Sequence, residues 1–308
     1  MTNGMSRGAL PGLALSAIPG QRLAVLDLAR EIEQRGFAGI SIASPFGTIG
    51  PCAGLAFATQ RISFASAIAP IYAQTVDEFA QSAAYLHEVS AGRFQFGIGI
   101  AHGPAYVRMG VTPGKPLGDI RAFVDKFRAC TDYGPLPPVI LATLRKRMVA
   151  LAGEIGDGLL FASGCRSHMA ESLSVVPAAR RDDPAFFIGN RSRVCLDPDP
   201  AVAKAVLRKA LSHYALMPNY YNYWVEAGYE EEMRDVSKAV AENRPQDVVR
   251  CISDRLLADV TLFGTAAQVR DGVEAWRAAG IKDPVLVPLS ADGRQETALR
   301  DVFAAFAE

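Results

Sequence analysis

Histidine is scarce in this chain, with four in 308 residues, and tryptophan scarcer, with two. The five cysteines, Cys52, Cys130, Cys165, Cys195 and Cys251, are scattered, odd in number and never spaced as C-x-x-C. That removes support for a zinc site or a redox dithiol and predicts reduced thiols in a cytoplasmic protein. An excess of charge is missing too. With 32 basic side chains against 32 acidic ones, nothing electrostatic recommends nucleic acid or an anionic membrane as partner. No apolar run approaches ~18 residues, and no cationic segment leads into an apolar one at the start, so neither a membrane span nor a signal peptide is expected. The charged run Arg180-Arg181-Asp182-Asp183 reads as a solvated turn.

What is present is a recurring unit: a helix, a glycine, then a short apolar strand. Val25, Leu28 and Ile32 repeat with helical spacing, Gly36 ends that helix, and Ile40–Ala43 follows as strand. The unit returns at Gly92, Gly156 and Gly280, with Thr75-x-x-Glu78 and Thr265-x-x-Gln268 as capping boxes. Strands are predicted at 13–18, 38–43, 62–68, 93–100, 138–142, 157–161, 185–195 and 284–288. Apolar strands alternating with helices imply a parallel sheet covered by helices. Eight in this length favour a closed (β/α)8 TIM barrel, residues 1–308 as a single domain, over an open doubly wound sheet. The spacing fails once, at 196–262, which reads as a helical insertion between the seventh and eighth strands. Its cluster Tyr214, Tyr220, Tyr221, Tyr223 and Trp224 either lines a substrate cavity or packs the insertion in place.

In such barrels chemistry sits at the carboxyl ends of the strands. Those ends carry no carboxylate pair of the kind a glycosidase needs and no Asp/Glu/His cluster for a divalent metal. They carry hydroxyls, small residues, one histidine and one arginine: Ser44, Ala142-Thr143-Leu144-Arg145, Ser163-Gly164 and His102. A mouth so poor in acid–base groups suits a planar cofactor that brings its own reactivity. The stretch Phe94–Pro104, FQFGIGIAHGP, is not a dinucleotide loop. G-x-G-x-x-G requires glycine where His102 stands, and Gly103-Pro104 is expected to break any helix there.

Three segments carry a family resemblance. RISFASAIAPIYAQTVDEFAQSAAYLHEVSAGRFQFGIGIAHGP, with Ser90-x-Gly92-Arg93-Phe94 and Gly97-x-Gly99, resembles the third and fourth strands of the bacterial luciferase-like flavin oxidoreductases. PVILATLRKRMVALAGEIGDGLLF resembles their fifth strand, fifth helix and sixth strand, and LFGTAAQVRDGVEAWRAAGI the helix before the last strand. The resemblance implies a TIM barrel with an insertion near strand seven that binds reduced FMN or the deazaflavin coenzyme F420 non-covalently. GIAHGP is more similar to the deazaflavin-type relatives.

Residue by residue, the resemblance implies a non-prolyl cis peptide at Ala67-Ile68, bulging behind the cofactor ring. It implies that backbone amides at Thr143-Leu144-Arg145 hold the cofactor phosphate, although the family's small-Gly-Pro pattern is absent there. Ser44, Ala142, Ser163 and Gly164 complete the cofactor-contact candidates, with Ser44-Pro45 standing where many members have Asp-His. His102 is the candidate catalytic residue, able to manage a proton near neutral pH, or else a loop histidine satisfying backbone groups. His87 and His213 read as structural, and His168 stays open. The function expected is hydride transfer to, or mono-oxygenation of, a small organic substrate, in a possible homodimer. A non-catalytic flavin- or ligand-binding barrel is the alternative.

Overall fold

The computed structural model describes residues 10–44 and 47–307. The N-terminal segment read for targeting signals, and Pro45-Phe46 at the expected end of the second strand, lie outside the described residues. By packing, the chain forms two compact units. One runs to Phe161 and takes in Val175–Gly189; the other holds Ala162–Ser174 and everything from Asn190. Eight principal strands alternate with helices, which is the (β/α)8 class expected from the sequence. They are β1 (Gly12–Ser16), β2 (Gly39–Ala43), β3 (Ser63–Ser66), β4 (Phe94–Gly99), β5 (Val139–Thr143), β6 (Gly158–Ala162), β7 (Phe187–Cys195) and β8 (Asp283–Leu289).

In the first unit β1 to β6 pair in parallel and in chain order, with Leu15 opposite Ile42, Ile40 opposite Phe64, Phe64 opposite Phe94 and Leu141 opposite Leu159. These strands are apolar on both faces because helices cover one side and neighbouring strands' side chains fill the other. Phe79, Phe94, Phe96, Phe123 and Phe127 form a continuous aromatic layer between β4 and its helices, with ring centroids 5.1–6.4 Å apart. Each such buried ring contributes roughly 1.5–3 kcal/mol.

The segment Ser90–Phe94 is a structural turn. Thr75 Oγ1 accepts from Glu78 N to start the helix Val76–Val89, which ends where Ala91 (φ 52°) and Gly92 (φ 80°) turn left-handed. Arg93 then reaches back with its guanidinium to donate to Thr59 Oγ1, Ile62 O, Ala56 O and Thr59 O, and lies over the Phe64 ring. Asp157 plays a matching part beside β5, accepting from Val139 N at 2.9 Å and from Arg128.

Two sequence expectations are corrected in this unit. Gly103-Pro104 does not stop a helix; it starts one, Gly103–Met109, because the first turn needs no N–H from proline. Arg180-Arg181-Asp182-Asp183 is not a solvated turn. It belongs to a short helix, Ala178–Asp182, whose Arg180 donates to the carbonyls of Gly153 and Gly156 and stacks over Phe186.

In the second unit the stretch between β7 and β8 is helical at Pro200–Ala215, Pro218–Glu226, Glu230–Ala241, Asp254–Val260 and Ala266–Ala278. The full capping box forms at Thr265 and Gln268. A three-residue strand, Thr261–Phe263, pairs in parallel with β7, a piece too short for periodicity to reveal. Asp259, nearly buried, accepts from Ser167 N, Ser167 Oγ and Tyr229 Oη at 2.7–2.9 Å. Among the described residues no helix is long and apolar enough to cross a membrane.

Candidate active site

The site begins where β3 loses register with β4. Ala65 lies opposite Gln95, yet Ala69 lies opposite Ile98, so four steps on one strand match three on the other. One extra residue is accommodated at Ser66–Ile68, a bulge. The Ala67-Ile68 peptide within it is cis, as the family resemblance implies. Ala67 turns into the core against Ile140 and Leu160, while Ile68 is left half-buried.

Ile68 meets β4 and β5 at their carboxyl ends. A Cβ on Gly99 would lie 3.4 Å from Ile68 Cδ1 and 2.9 Å from Ala142 Cβ, so Ile68, Gly99 and Ala142 make one apolar floor that only small residues permit. Next to it Thr143 is buried, and its hydroxyl has no hydrogen-bond partner among the described residues. A buried hydroxyl left unpaired is costly, and a bound polar group would remove that cost. Leu144 is buried and Arg145 exposed at the start of the helix Lys146–Ile155, where the Arg145 side chain makes no capping hydrogen bond. An uncapped helix start beside an arginine can receive a phosphate.

His102 is the half-buried residue from which the helix Gly103–Met109 springs; its carbonyl accepts from Ala105 N and Tyr106 N. Burial lowers its imidazole pKa, so the ring is neutral at physiological pH and ready to accept a proton. Beside it the sequence missed a hydroxyl network: Tyr106 Oη donates to Ala101 O at 2.7 Å, and its ring meets Tyr72, whose Oη donates to Asp119 at 2.6 Å. Burial and the Asp119 carboxylate push the Tyr72 phenol up, which keeps it protonated as a donor. No linear pattern joins Tyr72, Tyr106 and Asp119. Ser44 Oγ donates to Ala17 O, tying the ends of β1 and β2.

Within the second unit, Ser163 takes a left-handed conformation (φ 55°), its N–H donates to Arg191 O, and Arg193 donates to its hydroxyl. Gly164 N donates to Asn190 Oδ1. These residues after β6 and on β7 form a polar cluster that sequence reading glimpsed only through Ser163 and Gly164. The tyrosine cluster packs against it: Trp224 Nε1 points to Ser163 O and Tyr223 Oη accepts from Cys165 N. Tyr220, Tyr223 and Trp224 are buried. These three rings pack within the second unit, while Tyr214 and Tyr221 are partly exposed. Among the described residues no group of His, Cys, Asp and Glu can hold a metal ion.

The family model described as luciferase-like monooxygenase matches residues 14–283. A candidate coenzyme F420-dependent oxidoreductase of Mycobacterium tuberculosis is 27% identical over 316 residues, covering 86% of this chain and 91% of its own. The coenzyme F420-dependent tetrahydromethanopterin reductase of Methanopyrus kandleri superposes with a TM-score of 0.75 over 97% of both chains at 14% identity. The oxygenating constituent of 3,6-diketocamphane monooxygenase of Pseudomonas putida, solved with FMN, does so at 0.65, again over 97% of both chains at 14% identity. Such likeness fixes the (β/α)8 fold, and the match across most of the chain places this protein in the luciferase-like monooxygenase family.

Proposed function

We propose that this chain is an oxidoreductase that binds reduced coenzyme F420 or FMN non-covalently and acts on a small organic substrate. The observation that carries the reading is the small-residue floor of Ile68, Gly99 and Ala142 with the unpaired Thr143 hydroxyl at its edge. The residues present fit such a cofactor: an apolar surface for a ring, a hydroxyl with no partner among the described residues, and a helix start carrying Arg145 for a phosphate. When bound, the cofactor supplies the hydride, or the reduced ring that activates oxygen.

The chain's own residues do the rest. Ile68 presses the floor from the β3 bulge, and Thr143 Oγ1 offers a hydrogen bond to the polar edge of what lies on it. His102, neutral through burial, accepts or returns the proton that accompanies reduction or oxidation of the substrate. The mycobacterial F420-dependent relative and the fold of the F420-dependent reductase support the deazaflavin choice. The test is a fluorescence titration of cofactor-free protein with F420 and, separately, FMN. Tight binding of F420 alone supports the reading in its preferred form, and tight FMN binding redirects it to oxygen-dependent chemistry. Binding of neither, in folded protein, overturns it.

A further inference from the structure

A cavity of about 800 Å³ opens in the first unit at the ends of β1, β2 and β3, against Ala17, Ser44 and Ala69-Pro70. Its volume is that of a small-molecule site. The walls are apolar at Leu26, Ile49, Pro51, Phe79 and Met109. Its polarity is one-sided. Arg22 and Arg108, both exposed, line it, and among the described residues no aspartate or glutamate does. Neither guanidinium forms an ion pair or hydrogen bond with another described residue. Most arginines elsewhere on this unit are engaged, as in the pairs Arg30–Asp27, Arg35–Glu31 and Arg121–Glu154.

Two further features agree. The helices Arg22–Gln34 and Ile49–Ala58 both begin at the cavity wall, and neither N-cap residue, Gln21 or Thr48, makes a side-chain capping bond. Their positive ends therefore face the same space. Thr48, only 3% exposed, also lines the cavity, and its hydroxyl makes no hydrogen bond to the described residues. A buried hydroxyl and two free guanidinium groups around an apolar pocket select one class of ligand. We propose that this cavity holds the substrate, an amphipathic organic anion whose carboxylate or phosphate is received by Arg22, Arg108 and Thr48 while its apolar body fills the pocket.

The inference rests on the oxidoreductase reading in assigning the anion to the substrate. Of the candidate cofactor contacts Ser44 lines this cavity, whereas Ala142–Arg145 do not. The full chain is titrated calorimetrically with octanoate, octyl phosphate and the neutral octanamide. At least one anion is expected to bind about tenfold or more tighter than the amide. The Arg22→Gln/Arg108→Gln double variant, unchanged in circular dichroism, should lose that preference, and Arg22→Lys/Arg108→Lys should recover part of it. Equal affinities in the parent protein, or a preference that survives the double glutamine variant, overturn the proposal. So does a double variant that loses F420 or FMN affinity, because the arginines would then hold the cofactor's own anionic group. If the parent binds neither cofactor yet keeps the anion preference, the oxidoreductase reading fails and the anion site stands.

Discussion

Ser66 and Gly97 approach each other as closely as two backbones can: Ser66 Oγ donates to Gly97 O at 2.8 Å, and a Cβ on Gly97 would fall 1.9 Å from Ser66 O. The atom in the way is backbone, so it cannot swing aside. Gly97→Ala should therefore cost about 3 kcal/mol or more, or prevent folding, read as a shift in the urea midpoint. Gly99→Ala meets only side chains, Ala142 and Ile68, and should cost less stability. It should instead weaken cofactor binding, because the added methyl stands on the proposed floor. Equal stability losses in both variants would contradict this division.

Thr143 offers the opposite signature. Its hydroxyl is buried without a partner, so Thr143→Val should leave thermal stability unchanged or raised while cofactor affinity falls about threefold to tenfold. Calorimetric melting alongside the cofactor titration checks both halves. A loss of stability with unchanged affinity would make Thr143 a structural residue.

The imidazole of His102 is held below its ordinary pKa by burial. If it accepts the reaction proton, the rate should fall on the acid side with an apparent pKa below about 6.5, and His102→Gln should remove that limb along with most of the turnover. The same shift carries a stability sign. Folded protein resists protonating His102 more than unfolded chain does, so its contribution is complete above the ordinary histidine pKa and is lost as pH falls through the folded value. A pH–rate profile unchanged in His102→Gln would rule out the proton role.

Glu33 has a comparable window at lower pH. Its carboxylate accepts from the N–H groups of Gln60, Arg61 and Ile62 at 2.6–3.1 Å, fixing the approach to β3. Burial alone would raise its pKa; the backbone donors outweigh it and the net shift is downward. Glu33→Gln should cost about 1–2 kcal/mol near pH 7. The gap should close as pH falls below the ordinary carboxylate value and through the folded one, because the parent then loses its charge. Chemical denaturation of both proteins from pH 7 to 3 tests the closure.

The strands were legible because their signal is local. Each of the eight predicted strands overlaps an observed one, within two residues at every end, since glycine after a helix and an apolar run of five need no distant partner to be recognised. The helix after His102 departs from expectation because Gly-Pro breaks a helix interior but not a first turn, where the missing N–H of proline costs nothing. The cis peptide was reached only through resemblance; nothing in Ala67-Ile68 itself signals it. Tyr72, Tyr106 and Asp119 stayed invisible because β3, β4 and the helix Pro116–Ala129 bring them together across 47 positions, a relation no spacing rule encodes. The two arginines of the cavity were hidden likewise: each is an ordinary surface residue until the fold brings it to a cavity that no described acid lines.

Arg93, at the amino end of β4, binds four acceptors drawn from the connection that leads into β3. Anchored there, these two strands keep their spacing independently of the loops at the other rim. Positions in 70–75 and 101–115 other than Tyr72, His102, Tyr106 and Arg108 should then tolerate exchange without refitting the barrel. Substituting Arg93 would remove that tolerance.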